Sequence, residues 1–233
     1  MDTVAAAALQ DYPKQSYRVF VLDDANAPAL SHEISAFNAK RCANHSIEPV
    51  IYLTRPKTPG EPHHFKAGNL SSGIHTSHTR YGSSEFIAGL DADMIPEPDW
   101  LKRTVPHLVL GPELALVSPP QYSYNVPPLD ILAQDANVLQ QVLEPVRDRI
   151  GSSMCHGSGY VLRRKALEAI GGWPLVNIGE DILCSYLLNR AEWQTAFIRD
   201  KLQFGTTCDS FHAYVSQRMR WVSFSFSSSS CLL

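Results

Sequence analysis

Two short apolar runs, residues 17–22 (YRVFVL) and 86–90 (FIAGL), stop abruptly at acids, Asp23-Asp24 after the first and Asp91-Ala92-Asp93 after the second. Runs of this length, bounded by polar and Gly residues, suit strands buried in an α/β sheet. In open α/β sheets ligands bind beyond the carboxyl ends of the strands, so both acid pairs stand where a ligand or metal would be met. On an extended segment Asp91 and Asp93 share a face. Such a pair can hold one hard divalent cation, Mg²⁺ or Mn²⁺, and leave positions open for phosphate oxygens and water. Taken alone, D-x-D is a weak signal and reads more readily as a solvated turn or a helix cap.

The rest of the chain alternates in the same way. Helical patterns fall at 3–10, 29–43, 65–77, 101–110, 129–150 (interrupted at Pro145), 165–170, 182–191 and 211–222, with strands at 50–53, 114–118, 160–162 and 195–198. Alternating strands and helices predict a mainly parallel sheet with helices on both faces. The 233 residues are 44% hydrophobic and 18% charged, enough for one domain with a sizeable core. A formal net charge of -3 gives no basic surface, so nucleic acid is not an expected partner. Five widely spaced cysteines without a C-x-x-C pair fit a reducing compartment, with neither a disulfide framework nor a zinc site. No apolar stretch of about 18 residues is present, and no basic segment followed by an apolar core opens the chain.

Two further groups carry chemistry. Gly179-Glu180-Asp181 opens a helix; Asp181 reads as an N-cap or as a general base for an attacking hydroxyl. In Gln217-Arg218-Met219-Arg220-Trp221, residues 217, 220 and 221 share one helix face. That face reads as an amphipathic helix resting Trp221 on the core, or as an indole and an Arg fork for a sugar and a pyrophosphate. His63-His64 and His75/His78 read as loop and helix-surface histidines and are not expected to hold a metal.

In this order and spacing Asp23-Asp24, Lys66-Ala67-Gly68-Asn69, Asp91-Ala92-Asp93, Gly179-Glu180-Asp181 and Gln217 to Trp221 resemble the D, D-x-D, E-D and Q-x-x-R-W series of processive family 2 glycosyltransferases. These are the cellulose synthase-like, hyaluronan synthase-like and chitin synthase-like enzymes. Gly157-Ser158-Gly159 and Gly171-Gly172-Trp173 extend the likeness. The resemblance implies a GT-A (Rossmann-like) α/β fold over residues 1–222, followed by a Ser-rich tail at 223–233. It implies inverting transfer from a UDP-sugar to a growing glycan acceptor. Asp24, with Asp23, would contact the uridine, and Lys66 would hold the diphosphate. Asp91 and Asp93 would carry Mg²⁺ or Mn²⁺, and Asp181 would be the base. Glu180, Gln217, Arg220 and Trp221 would complete the donor and acceptor sites. The family pattern also implies an earlier strand before residue 1, membrane spans after Trp221, and work at the cytosolic face of a membrane. Against that pattern the chain reads as truncated at both ends, with the first strand missing. The alternatives are a non-processive family 2 transferase adding one sugar, which commonly lacks Q-x-x-R-W, and an inactive fragment that binds only nucleotide or a partner.

Overall fold

The computed structural model describes residues 1–42, 48–57, 60, 62–134, 138–176 and 179–228; the side chains of residues 42 and 220–228 also fall outside this description. In chain order the elements are α1 (Asp2–Ala8), β1 (Phe20–Leu22), α2 (Pro28–Cys42), β2 (Ile51–Leu53), α3 (Phe65–Tyr81), β3 (Phe86–Gly89), β4 (Ile95–Pro96), α4 (Trp100–Leu110), β5 (Leu114–Ser118), β6 (Tyr122–Ser123), α5 (Glu144–Asp148), β7 (Tyr160–Arg163), α6 (Arg164–Ala169), α7 (Glu180–Arg190), β8 (Gln194–Phe197), β9 (Gln203–Gly205) and α8 (Phe211–Ser228).

Three sheets carry the site. β1 and β2 pair in parallel, β3-β7-β5-β8 form the central sheet, and β4-β9-β6 form a small third sheet. The central sheet is mixed: β5 and β8 run parallel, whereas β7 runs antiparallel to both β3 and β5. Its central strands alternate cleanly between two cores. Leu116 and Leu162 face a core with Ala67, Leu167, Trp173, Cys184 and Leu188, from α3, α6, α7 and the Gly171-Gly172-Trp173 turn. Val117 and Val161 face the opposite core with Trp100, Leu101 and Leu108 of α4. The central sheet is therefore covered on both faces, which is why β7 reads as four buried residues in a row. A smaller core of Ala8, Ile34 and Val50 packs beneath β1 and β2.

The two-residue strands β4 and β6, and β9 beside them, were not expected; segments this short leave no periodicity to read. The helix expected over 129–150 is also shorter. A π-type turn spans Leu139–Leu143 and runs into α5, with Pro145 in the first turn of that helix. Pro145 has no N–H for a carbonyl one turn earlier, so the chain widens there instead of continuing an α-helix.

Gly89 is fixed by close packing. Any Cβ there would collide with the Tyr160 ring, which is fully buried and stacked on Trp173 at 5.4 Å and 23°. Because Tyr160 has nowhere to retreat, Gly89→Ala is expected to destabilise the domain by about 1–3 kcal/mol, read as a lower urea midpoint.

Candidate active site

Residues just past the ends of β1, β2 and β3 are tied together through the head of α3: Arg55 after β2 grips Asp24 after β1 and donates to Phe65 O, and Lys66 meets Asp91 after β3. The two neighbouring acids after β1 do different work. Asp23 turns back on its own loop, accepting from Ala25 N (2.8 Å), Ala27 N (2.7 Å) and the Tyr52 hydroxyl (2.7 Å). Partial burial would raise its pKa, but these donors outweigh it and hold the carboxyl below its ordinary value. Asp24 is gripped by the Arg55 fork, Nε at 2.6 Å and Nη2 at 2.9 Å, with His63 Nε2 at 3.6 Å. That fork is the main reason its pKa is lowered.

The Lys66-Ala67-Gly68-Asn69 segment opens α3 and has a structural reason at each position. Ala67 is buried in the core, and a side chain at Gly68 would strike the Arg55 guanidinium and the His63 carbonyl. Asn69 Nδ2 donates to Leu22 O (3.0 Å), tying α3 to the end of β1. Lys66 is thereby aimed toward the end of β3. Its ammonium lies 2.5 Å from Asp91 Oδ1 and donates to Gly157 O (3.0 Å).

Asp91 and Asp93 are not on an extended strand as expected. β3 ends at Gly89, and Met94 N donates to Asp91 O (3.1 Å), closing a turn over residues 91–94. The Asp91 amide donates to Ser158 Oγ (3.0 Å), so the loop before β7 holds the turn in place. The antiparallel direction of β7 makes this contact. A parallel strand would enter the sheet at the far edge, whereas β7 enters beside the end of β3.

Gly157 then joins the third acidic group. A Cβ at that position would stand 2.8 Å from Asp181 Oδ2 and 3.3 Å from Lys66 Nζ. Asp181 sits in the first turn of α7 beside the buried Glu180, both favoured there by the positive end of the helix dipole. One oxygen of Asp181 accepts from the Ile182 amide (2.8 Å).

The electrostatics record how crowded this corner is. Burial works to lower the Lys66 pKa, but Asp91, Glu180 and Asp181 outweigh it and raise it. Burial raises the Asp91 pKa; Lys66 opposes it, while Asp93 and Asp181 add to it. Glu180 is raised by burial and by Asp181. Cys184 beneath them is pushed up to about 12 by burial, with Asp181 adding to it, so it is an inert core thiol.

Around one ammonium, then, stand Asp91, Glu180 and Asp181, with Asp93 close to Asp91. Among the described residues no three His, Cys, Asp or Glu side chains form a complete metal cage. Asp91 and Asp93 nonetheless supply two hard oxygens amid excess negative charge. That donor set fits a divalent cation which takes its other ligands from phosphate and water. An open cavity of about 540 Å³, lined by Asp24, Ala25, Lys57, His63, Phe65 and Lys66, leads to this corner from the β1–β2 side.

The model of a known family, described as glycosyltransferase like family 2, matches residues 1–223. The chain belongs to this family. Among curated relatives, cellulose synthase 1 of Komagataeibacter xylinus is 30% identical over 226 residues, which cover 94% of this chain and 13% of that protein. A probable glucomannan 4-beta-mannosyltransferase 6 of Oryza sativa subsp. japonica is 30% identical over 224 residues, covering 94% and 38%. Among solved structures, the mannosyltransferase PcManGT from Pyrobaculum calidifontis in complex with GDP-Man and Mn²⁺ matches with a TM-score of 0.61 at 18% identity. That match covers 91% of this chain and 54% of the other. The fold is the GT-A fold.

Within this glycosyltransferase domain, Lys66, Asp91 and Asp181 lie together, with Asp93 and Glu180 beside them. Gln217 is half-buried on α8, outside the hydrogen-bonded cluster, and the side chains of Arg220 and Trp221 lie outside the described residues. No helix among the described residues is long and apolar enough to cross a membrane. Sequence reasoning missed Arg55 and Glu144; it noted His63 only as a histidine not expected to hold a metal, and Ser158 only as part of the Gly157-Ser158-Gly159 likeness. Arg55 carried one usable signal, its place just past a strand end. Glu144 carried none, since it is fully buried within a polar-looking helix. It accepts from Arg147 Nη1 (2.6 Å) and the Met154 amide (2.9 Å), anchoring the start of the loop that reaches Gly157.

Proposed function

We propose that the chain is a catalytic domain that transfers a sugar, with inversion, from a nucleotide-diphosphate sugar to the hydroxyl of a growing glycan. The observation that carries this reading is the meeting of Lys66, Asp91 and Asp181 around Gly157. Lys66, ion-paired yet about 40% exposed, would turn to the donor diphosphate and hold it as a point charge. Asp91 and Asp93 would hold Mg²⁺ or Mn²⁺, which when bound supplies positive charge for the departing nucleoside diphosphate. Asp181 would accept the acceptor hydroxyl proton as that oxygen attacks the anomeric carbon. Asp24, set by Arg55, would face the nucleoside, with Asp23 shaping the loop that presents it. Glu180 would support Asp181, and Gln217, Arg220 and Trp221 would bind diphosphate and acceptor sugar.

The chain spans between about an eighth and two-fifths of the length of these curated relatives, so sugar, polymer and partners belong to the proposal. A UDP-sugar is the first donor to offer, because a relative from Komagataeibacter xylinus carries the name UDP-forming cellulose synthase catalytic subunit. Work at the cytosolic face of a membrane, anchored through segments other than these, completes the reading. Incubating the protein with UDP-glucose, UDP-N-acetylglucosamine or GDP-mannose and Mn²⁺ is expected to release nucleoside diphosphate from one donor, faster when a short glucan or mannan is added. Release from none, by a folded protein that also fails to bind nucleotide, would overturn the assignment.

A further inference from the structure

The cavity between Asp24 and Lys66 contains an aromatic side chain that the proposed chemistry does not use. Phe65, the residue directly before Lys66, is 62% exposed although it stands at the head of a core helix. Its backbone is unusual as well. His64 and Phe65 have φ of 52° and 36°, two consecutive left-handed residues where L side chains are disfavoured.

The surrounding groups brace that conformation. Arg55 Nη2 donates to Phe65 O (3.1 Å) while the same guanidinium grips Asp24, and Gly68 leaves room for it. The His63 ring meets Phe65 edge-on at 5.7 Å. A flat apolar ring is thus held out on the wall of a cavity whose other functional groups are two ammoniums, a carboxylate and an imidazole. The ligand that matches is flat at one end and anionic at the other, as a nucleoside diphosphate is.

We propose that Phe65 is the platform on which the donor's nucleobase stacks, with Lys57 adding charge at the cavity wall. The proposal rests on the donor-site reading above and names the residue that supplies base affinity. Stacking is indifferent to the base, since each has a π face. Phe65 would therefore strengthen binding of uracil and guanine nucleotides alike, and selection would fall to Asp24 and His63.

The test compares UDP, GDP and inorganic pyrophosphate, each titrated calorimetrically with Mn²⁺ into the wild-type chain, Phe65→Ala, Phe65→Gly and Phe65→Tyr. Phe65→Ala and Phe65→Gly are expected to weaken both nucleotides at least about fivefold, while pyrophosphate is unchanged and Phe65→Tyr stays near wild type. Including Gly separates the ring from backbone strain, because Gly adopts the left-handed conformation freely. Nucleotide affinity within twofold of wild type in Phe65→Ala would overturn the proposal, as would equal losses for UDP and pyrophosphate. If the wild-type chain binds none of the three ligands, the donor-site reading itself fails and this inference falls with it.

Discussion

Asp181→Asn is expected to lower the rate of sugar transfer by about 10²–10⁴-fold while leaving Mn²⁺-dependent UDP affinity nearly intact. The substitution isolates the proton-accepting role because the amide keeps the shape of the carboxylate. It can still accept from the Ile182 amide, so the start of α7 is preserved. Its basicity is gone, and with it the means of taking the hydroxyl proton. Asp181 forms no ion pair with Lys66, whose nearest partner is Asp91, so diphosphate binding does not depend directly on it. Single-turnover transfer assays beside calorimetric UDP titrations check both halves. A transfer rate within tenfold of wild type would remove Asp181 from the base role, and a parallel loss of UDP affinity would make it a binding residue.

Asp91→Ala/Asp93→Ala is expected to abolish Mn²⁺-dependent UDP binding, a loss of at least about 100-fold. Both hard oxygen donors go, and Lys66 loses its ion-pair partner. The wild-type chain also carries a pH signature. Asp91 and Glu180 titrate above their ordinary values, first because of burial and then because of neighbouring carboxylates. A raised carboxyl pKa favours the folded state below about pH 4, and that contribution is lost as pH rises through the folded values. A bound divalent cation reverses the penalty by favouring the ionised forms. Mn²⁺ is therefore expected to raise Tm more at pH 7.5 than at pH 5 in the wild type, with no metal-induced shift at either pH in the double variant. A shift that persists in the double variant would place the metal elsewhere.

Much of this was legible in the residues themselves. The apolar runs ending in Asp23 and Asp91 placed two strands within a residue or a few of their ends, although both are half-buried, with Ala88 exposed, where buried strands were expected. Gly171-Gly172 ended α6 as expected, both in the left-handed region that glycine tolerates. Lys66, Asp91 and Asp181 were nominated individually and do meet. Their partnership was not legible, since Lys66 and Gly157 are 91 positions apart and no local pattern couples them.

What the sequence by itself determined was where the longer helices and strands lie, apart from the 129–150 stretch, and which acids stand at strand ends and helix starts. Side-chain periodicity and backbone preference are local, and they are written into each segment independently. The tertiary structure decided three things. It ran β7 antiparallel between β3 and β5, which brought the Gly157-Ser158 loop to the Asp91 turn. It turned Asp23 inward and left Asp24 to Arg55, although the two are neighbours in the chain. It also set Phe65 out on the cavity wall in a strained backbone braced from β2. Each outcome depends on strand neighbour and strand direction, which follow from how the whole chain satisfies its cores and hydrogen bonds at once.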